Sequence, residues 1–313
     1  RFEPWYPLLW TDGSIGAIST GDIREDEVRK IYLPASAESA MVRYPEEALT
    51  GSNGFAVGPS KTQSGNAILY INPHVTFYFR PEVHMVSDEG LNAYGAVTWG
   101  QFFIYQGFNE YCGWMHTSSS VDVSDMYAEK ITMKGARLFY EYNKQQKPVI
   151  IKNIQLAALK NNRIEQQTVS AFYTGHGPLM ALRNKQWLSV KSYNRSMISL
   201  VQSWLRTKAT GFAAFKGLME LRGNTSNNTV FADNKGHIAY WHGNFIPVRD
   251  KNINWSRPVD GTVSSTEWKG LHSLDETIHV YDPASGFIQN CNSTPFTCSD
   301  SSSPKKEQYP AYM

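Results

Sequence analysis

A serine placed directly after a glycine, where a charged stretch meets an apolar run, is a point where a chain can be cut to leave a new N-terminal serine. Gly51-Ser52-Asn53-Gly54 is such a point, following Pro45-Glu46-Glu47-Ala48-Leu49-Thr50. A hydroxyl is a weak nucleophile until a base takes its proton. A free α-amine titrates at ~7.7 to 8.0, against ~10.4 for lysine, so near neutral pH an N-terminal serine would carry its own base. Read locally, the same residues are also an ordinary turn entering a strand. No Gly-x-Ser-x-Gly elbow, Walker loop, dinucleotide fingerprint or His-Glu-x-x-His helix competes with Ser52. Cys112, Cys291 and Cys298 are too few and too scattered for a zinc knuckle or a disulfide scaffold. Cys291 and Cys298 are close enough to form a small loop in an oxidising compartment, or they are two thiols.

The elements that must position Ser52 are short strands. Runs at 55–57, 67–71 and 75–79 are punctuated by Gly58-Pro59, Ser64-Gly65 and Asn72-Pro73, the pattern of strands joined by tight turns. Further runs recur at 96–98, 102–105, 149–154 and 168–173. The period then changes. Met197, Leu200, Val201, Trp204 and Leu205 predict one core-facing helix stripe, and Phe212, Phe215, Leu218 and Met219 predict a second, stopped at Gly223-Asn224. Strands return at 230–232 and 238–241. The order strand, helix pair, strand predicts α+β layers.

The chain has 313 residues, enough for one large core or two ordinary ones at ~150 residues per domain. Hydrophobic residues make up 41% and charged residues 19%, a composition that excludes a disordered chain. Lysine and arginine number 30 against 28 acidic residues, which leaves little for counterion release and argues against nucleic acid as a partner. No apolar run approaches the ~20 residues of a membrane span. The 15 Phe, 17 Tyr and 9 Trp suit a protein that also lines a pocket with rings.

Taken in order, several segments resemble the penicillin acylase family of N-terminal-nucleophile hydrolases. Its large subunit opens with Ser-Asn, a strand and a Gly-x-Ser-Lys turn, and this chain reads Ser52-Asn53 through Gly58-Pro59-Ser60-Lys61. Asn72-Pro73-His74 matches the segment with a glutamine or histidine 22 positions after the nucleophile, the histidine being closer to acyl-homoserine lactone and cephalosporin acylases. Gly107-Phe108-Asn109 through Trp114-Met115-His116-Thr117-Ser118 is similar to the oxyanion segment. Thr174-Gly175-His176-Gly177-Pro178 and Ala232-Asp233 through Tyr240 match two further landmarks. Asn290-Cys291-Asn292-Ser293-Thr294-Pro295 resembles the segment with the oxyanion asparagine, although the stretch from there to Tyr309-Pro310-Ala311 is longer than in penicillin G acylase.

The resemblance implies a four-layer αββα sandwich and a self-processing amidohydrolase that forms an acyl-enzyme on Ser52. It implies that His74 orients the α-amine or hydroxyl, the alternative being a structural histidine beside Pro73. It gives the oxyanion-hole roles to the Ser118 backbone N–H and the Asn292 carboxamide. Asp122 and Asp125 stand where the family has calcium-binding aspartates, so a structural calcium is expected if they are not simply solvated acids; no cofactor is expected for the chemistry. Residues 1–51 correspond to the end of a small subunit plus spacer and 52–313 to the first part of the large subunit. The expected partners are a small-molecule amide (a β-lactam acyl side chain, an N-acyl-homoserine lactone or similar) and the remainder of its own precursor, in a periplasmic or secreted setting. The chain reads as a fragment at both ends, with an arginine expected beyond Met313. The competing reading is a non-catalytic ligand-binding module on the same scaffold.

Overall fold

The computed structural model describes residues 23–33, 51–74, 81–98, 101–160, 162–192, 197–224 and 227–313. The expected strand at 75–79 and most of 1–51 lie outside them. Helix α1 (Glu25–Tyr32) precedes β1 (Gly51–Val57), β2 (Ile68–His74), β3 (Glu82–Ser87), β4 (Leu91–Ala96), β5 (Gln106–Asn109) and β6 (Cys112–Ser118). Next come β7 (Ser124–Glu129), β8 (Ile131–Lys134), β9 (Arg137–Tyr142), β10 (Gln145–Pro148), β11 (Ile150–Lys160), β12 (Arg163–Tyr173), β13 (Leu179–Arg183) and β14 (Gln186–Ser192). Helices α2 (Met197–Arg206) and α3 (Phe212–Met219) lead into β15 (Asn227–Asp233), β16 (Ile238–His242), β17 (Val259–Asp260), β18 (His279–Tyr281) and β19 (Phe287–Asn290).

Two sheets make the frame of the site. The larger runs β18-β16-β15-β6-β5-β4-β3, and the smaller runs β19-β1-β2 with Ser52 in its central strand. All pairings in both are antiparallel. Side chains alternate across a strand, so a strand covered on both faces is buried along its whole length. β15 shows this, being buried at every position. Phe231 faces Trp114, Phe215 and Trp241 on the helix side, while Val230 and Ala232 pack with Ala56, Ile238, Tyr240 and Ile288 on the small-sheet side. The ring of Phe215 lies 4.8 Å from Phe231 and 5.8 Å from Trp241. Burying each such side chain contributes about 1.5–3 kcal/mol. Helix pair, large sheet and small sheet thus form three layers of the sandwich among the described residues. The fold is α+β.

The local readings differ from this frame in four places, the first being 96–98, where β4 ends at Ala96 and Val97 and Thr98 lie outside any strand. Residues 102–105 form a bend and not a strand, because Phe103, Ile104 and Tyr105 turn inward to plug the core. The stripe expected to be core on α2 is half exposed: Leu200 is buried, but Met197, Val201 and Leu205 are not, while Gln202, Ser203 and Arg206 are buried. α3 ends at Met219, and the left-handed residue after it is Arg222, not Gly223. Gly223 instead permits close approach, since a β-carbon there would lie 2.7 Å from Ser199 Cα. Cys291 and Cys298 are both free thiols, the first exposed and the second buried.

Candidate active site

The hairpin of β1 and β2 sets the first two groups. Its register pairs Gly51 with His74, Ser52 with Pro73 and Asn53 with Asn72. Ser52 is buried at the strand entry, and His74 is exposed beside it. His74 Nε2 lies 2.7 Å from Asn72 Oδ1 and 3.1 Å from Asn53 Nδ2. A proton on Nε2 satisfies Asn72 Oδ1, which leaves the Nδ1 lone pair as the acceptor on the Gly51 side.

The other two groups arrive from distant strands. Just past β19, Asn292 takes a left-handed backbone conformation, φ 61°, which asparagine tolerates better than most residues. That turn carries its carboxamide back over β1. Asn292 Nδ2 donates to the Ser52 carbonyl oxygen at 3.1 Å, across 240 positions of sequence. Its Oδ1 accepts from the Ser118 N–H at 2.9 Å at the end of β6. The structure therefore brings Ser52, His74, Asn292 and the Ser118 backbone together at the Gly51–Ser52 junction.

A buried polar network supports this junction from between the two sheets, and local sequence reading missed it. Asn290 Oδ1 accepts from Thr117 Oγ1 at 2.6 Å and from the Asn292 N–H at 2.9 Å, tying β6 to β19. Asn228 Nδ2 donates to Thr117 Oγ1 and to the Ser118 carbonyl, and Asn228 Oδ1 accepts from Tyr240 Oη and His242 Nδ1 at 2.8 and 2.6 Å. Each of these five side chains is buried. Burial holds the His242 imidazole neutral, lowering its pKa to about 4, and raises the Tyr240 phenol well above its ordinary value. The polar run Asn227-Asn228-Thr229 leading straight into the apolar Val230-Phe231-Ala232 of β15 is the signal that could have found this network.

Asp122 and Asp125 are not part of the cleft. They lie on the loop that follows Ser118 and at the start of β7. Burial raises the Asp122 carboxyl above its ordinary range. Asp125 Oδ2 accepts from Arg249 Nε at 2.7 Å and from Trp268 Nε1 at 2.5 Å. Arg249 Nη1 donates to the Asp122 carbonyl at 2.9 Å, and Nη2 is 3.3 Å from Asp122 Oδ1. Calcium takes six to eight oxygen ligands. The carboxylates here already share a buried guanidinium, and no group of three or more His, Cys, Asp or Glu among the described residues could hold a metal. This donor set does not fit a calcium ion. Beside the loop, a cavity of about 450 Å³ is lined by Ser120, Trp255, Pro295, Phe296 and Tyr312 among others.

Comparison with known proteins agrees with this architecture. Penicillin G acylase of Escherichia coli is 25% identical over 300 residues, covering 92% of this chain and 34% of that protein. An acyl-homoserine lactone acylase of Pseudomonas putida, PvdQ, is 26% identical over 75% of this chain and 33% of its own length. The penicillin acylase 2 proenzyme of a Pseudomonas species is 27% identical over 77% of this chain and 31% of its length. The chain thus spans about a third of the length of these relatives. The solved thermostable penicillin G acylase of Alcaligenes faecalis superposes with a TM-score of 0.68 at 22% identity, over 82% of this chain and 47% of that one, which supports the fold. The penicillin amidase family model matches residues 1–313, so the chain belongs to the penicillin amidase family.

Proposed function

We propose that this chain carries the nucleophile of a self-processing amidohydrolase acting on linear amides. The observation that carries the reading is the meeting of Ser52, His74, Asn292 and the Ser118 N–H at one peptide junction. In the first stage the Ser52 hydroxyl attacks the Gly51 carbonyl carbon and the Gly51–Ser52 C–N bond breaks. The chain shifts from amide to ester on Oγ, and the α-nitrogen takes up the hydroxyl proton. Water then opens the ester, leaving a Gly51 carboxylate and a free Ser52 amine. The boundary between the two subunits is that bond.

In the second stage the α-amine accepts the Ser52 hydroxyl proton while Oγ attacks the substrate carbonyl. His74 Nδ1 orients the amine. The oxyanion takes over the acceptor position that Asn292 Oδ1 now holds toward the Ser118 N–H, and Asn292 Nδ2 supplies the second donor. Such donors are worth about 3 kcal/mol each in the transition state. The proton passes to the leaving nitrogen, the C–N bond breaks, and water releases the acid from the ester. The names of the relatives favour an N-acylated amine of the penicillin or homoserine lactone type. The rest of the precursor completes the enzyme. No step passes through a metal.

The test is the complete gene product, followed by denaturing mass analysis and release of acid from an amide panel. Cleavage between Gly51 and Ser52, lost together with hydrolysis in Ser52→Ala, is the expected result. Full hydrolysis by uncleaved Ser52→Ala protein would overturn the mechanism, and a folded, unbroken, inactive wild type would make the chain a binding module.

A further inference from the structure

We propose that Arg249, in place of a divalent metal, is the resident cation that positions the loop after Ser118 in this protein. The loop's catalytic importance rests on the function proposed above; the identity of its cation does not. Arg249 has no side-chain exposure, and its guanidinium reaches both ends of the 122–125 segment. Nε binds the Asp125 carboxylate, Nη1 the Asp122 carbonyl, and Nη2 lies against the Asp122 carboxylate. These are two kinds of oxygen, carboxylate and main-chain carbonyl, that a hard dication would also use. A planar fork reads that arrangement through directed N–H donors, and an ammonium on a flexible stem would not reproduce it.

The surroundings are built for an organic cation. The guanidinium carbon is 5.1 Å from the ring centre of Tyr312 and 5.8 Å from those of Trp255 and Trp268, within cation–π range. Trp268 also donates to the same Asp125 oxygen. Arg249 is itself held by main-chain pairing of Val248 with Lys269 and Gly270. A dication between Asp122 and Asp125 would sit against the positive charge of Arg249, whose side chain has no exposure. Arg249 touches no reacting group. It is a positioning residue, acting through the Asp122 main chain four residues from the Ser118 N–H.

The test uses the full-length protein in calcium and in chelator. The unfolding midpoint and amide kcat should be the same in both, and calorimetric titration with calcium should give no binding that Asp125→Asn removes. Tight calcium binding lost in Asp125→Asn would overturn the proposal without any variant of Arg249. Arg249→Gln should lower the midpoint and lower kcat at least tenfold with KM little changed, and calcium should then restore part of the midpoint through the freed carboxylates. Arg249→Lys should recover less than half of the loss. An Arg249→Gln protein with wild-type midpoint and kcat would also refute it. Unfolding and calorimetry need no hydrolysis, so a chain that fails to process refutes the proposed function and leaves this result readable.

Discussion

Gly51 has no side chain, and Asn292 uses the space one would take. A β-carbon at residue 51 would lie 2.7 Å from Asn292 Nδ2 and 3.9 Å from His74 Nδ1. Of these neighbours only the carboxamide must move, and it is the end of a side chain whose other contacts are the Ser52 carbonyl and the Ser118 N–H. Gly51→Ala is therefore expected to fold while displacing the asparagine from its place over the Gly51–Ser52 junction. Pushing a side chain off its rotamer costs about 0.5–1.5 kcal/mol, and each 1.4 kcal/mol is tenfold in rate. The expected outcome is roughly tenfold slower appearance of the two subunits in a mass-resolved time course. Cleavage at the wild-type rate would mean that Asn292 does not assist it.

The elements meet through the polar layer between the sheets, and its titration makes their docking depend on pH. Asn228 of β15 holds the Ser118 carbonyl of β6 on one side and accepts from His242 of β16 on the other. Burial lowers the His242 pKa from an ordinary 6.5 to about 4. A depressed folded pKa means that the unfolded chain binds the proton first, so this contribution is complete above pH 6.5 and disappears as pH falls toward 4. The full effect is about 3 kcal/mol. Unfolding midpoints measured across that window should fall with acid in the wild type, and more shallowly in His242→Gln. Equal slopes in the two proteins would show that His242 is not the group responsible.

At the scale of the molecule, a second buried cluster joins the sheet β13-β14-β7-β17 to the loop before residue 268. His176 Nδ1 lies 2.8 Å from Glu129 Oε1, and its Nε2 lies 3.1 Å from Glu267, which Lys191 contacts at 2.6 Å. Thr174 and Ser189 also donate to Glu129 Oε1, and the Tyr127 ring stacks on the imidazole at 4.0 Å. Removing a hydrogen-bond partner from a buried polar group costs about 1–3 kcal/mol. His176→Ala should lose that much in urea unfolding, far from the Ser52 junction. A loss under about 1 kcal/mol would show that the cluster is solvated in solution.

Much of the frame was legible because it depends on local pattern. The apolar runs at 55–57, 67–71, 230–232 and 238–241 coincide with β1, β2, β15 and β16, and the period change at 197 marks α2. Ser52 after Gly51 was legible as a possible nucleophile, and the ordered landmarks pointed to the family. Which side of α2 is buried was not legible, because Gln202 and Arg206 are buried by what lies against them and not by their own polarity. The same holds for Asn228, Asn290 and Arg249. A buried polar group is tolerated only where partners satisfy it, and those partners stand up to 173 positions away along the chain, as Thr117 does from Asn290. Sequence by itself determined β1, β2, β15 and β16, the order of the landmarks and the glycine–serine junction. Tertiary structure alone decided that Asn292 closes over Ser52 and that Arg249 occupies the aspartate pair, because hydrogen-bond and charge energies depend on distances that only the packed sheets set.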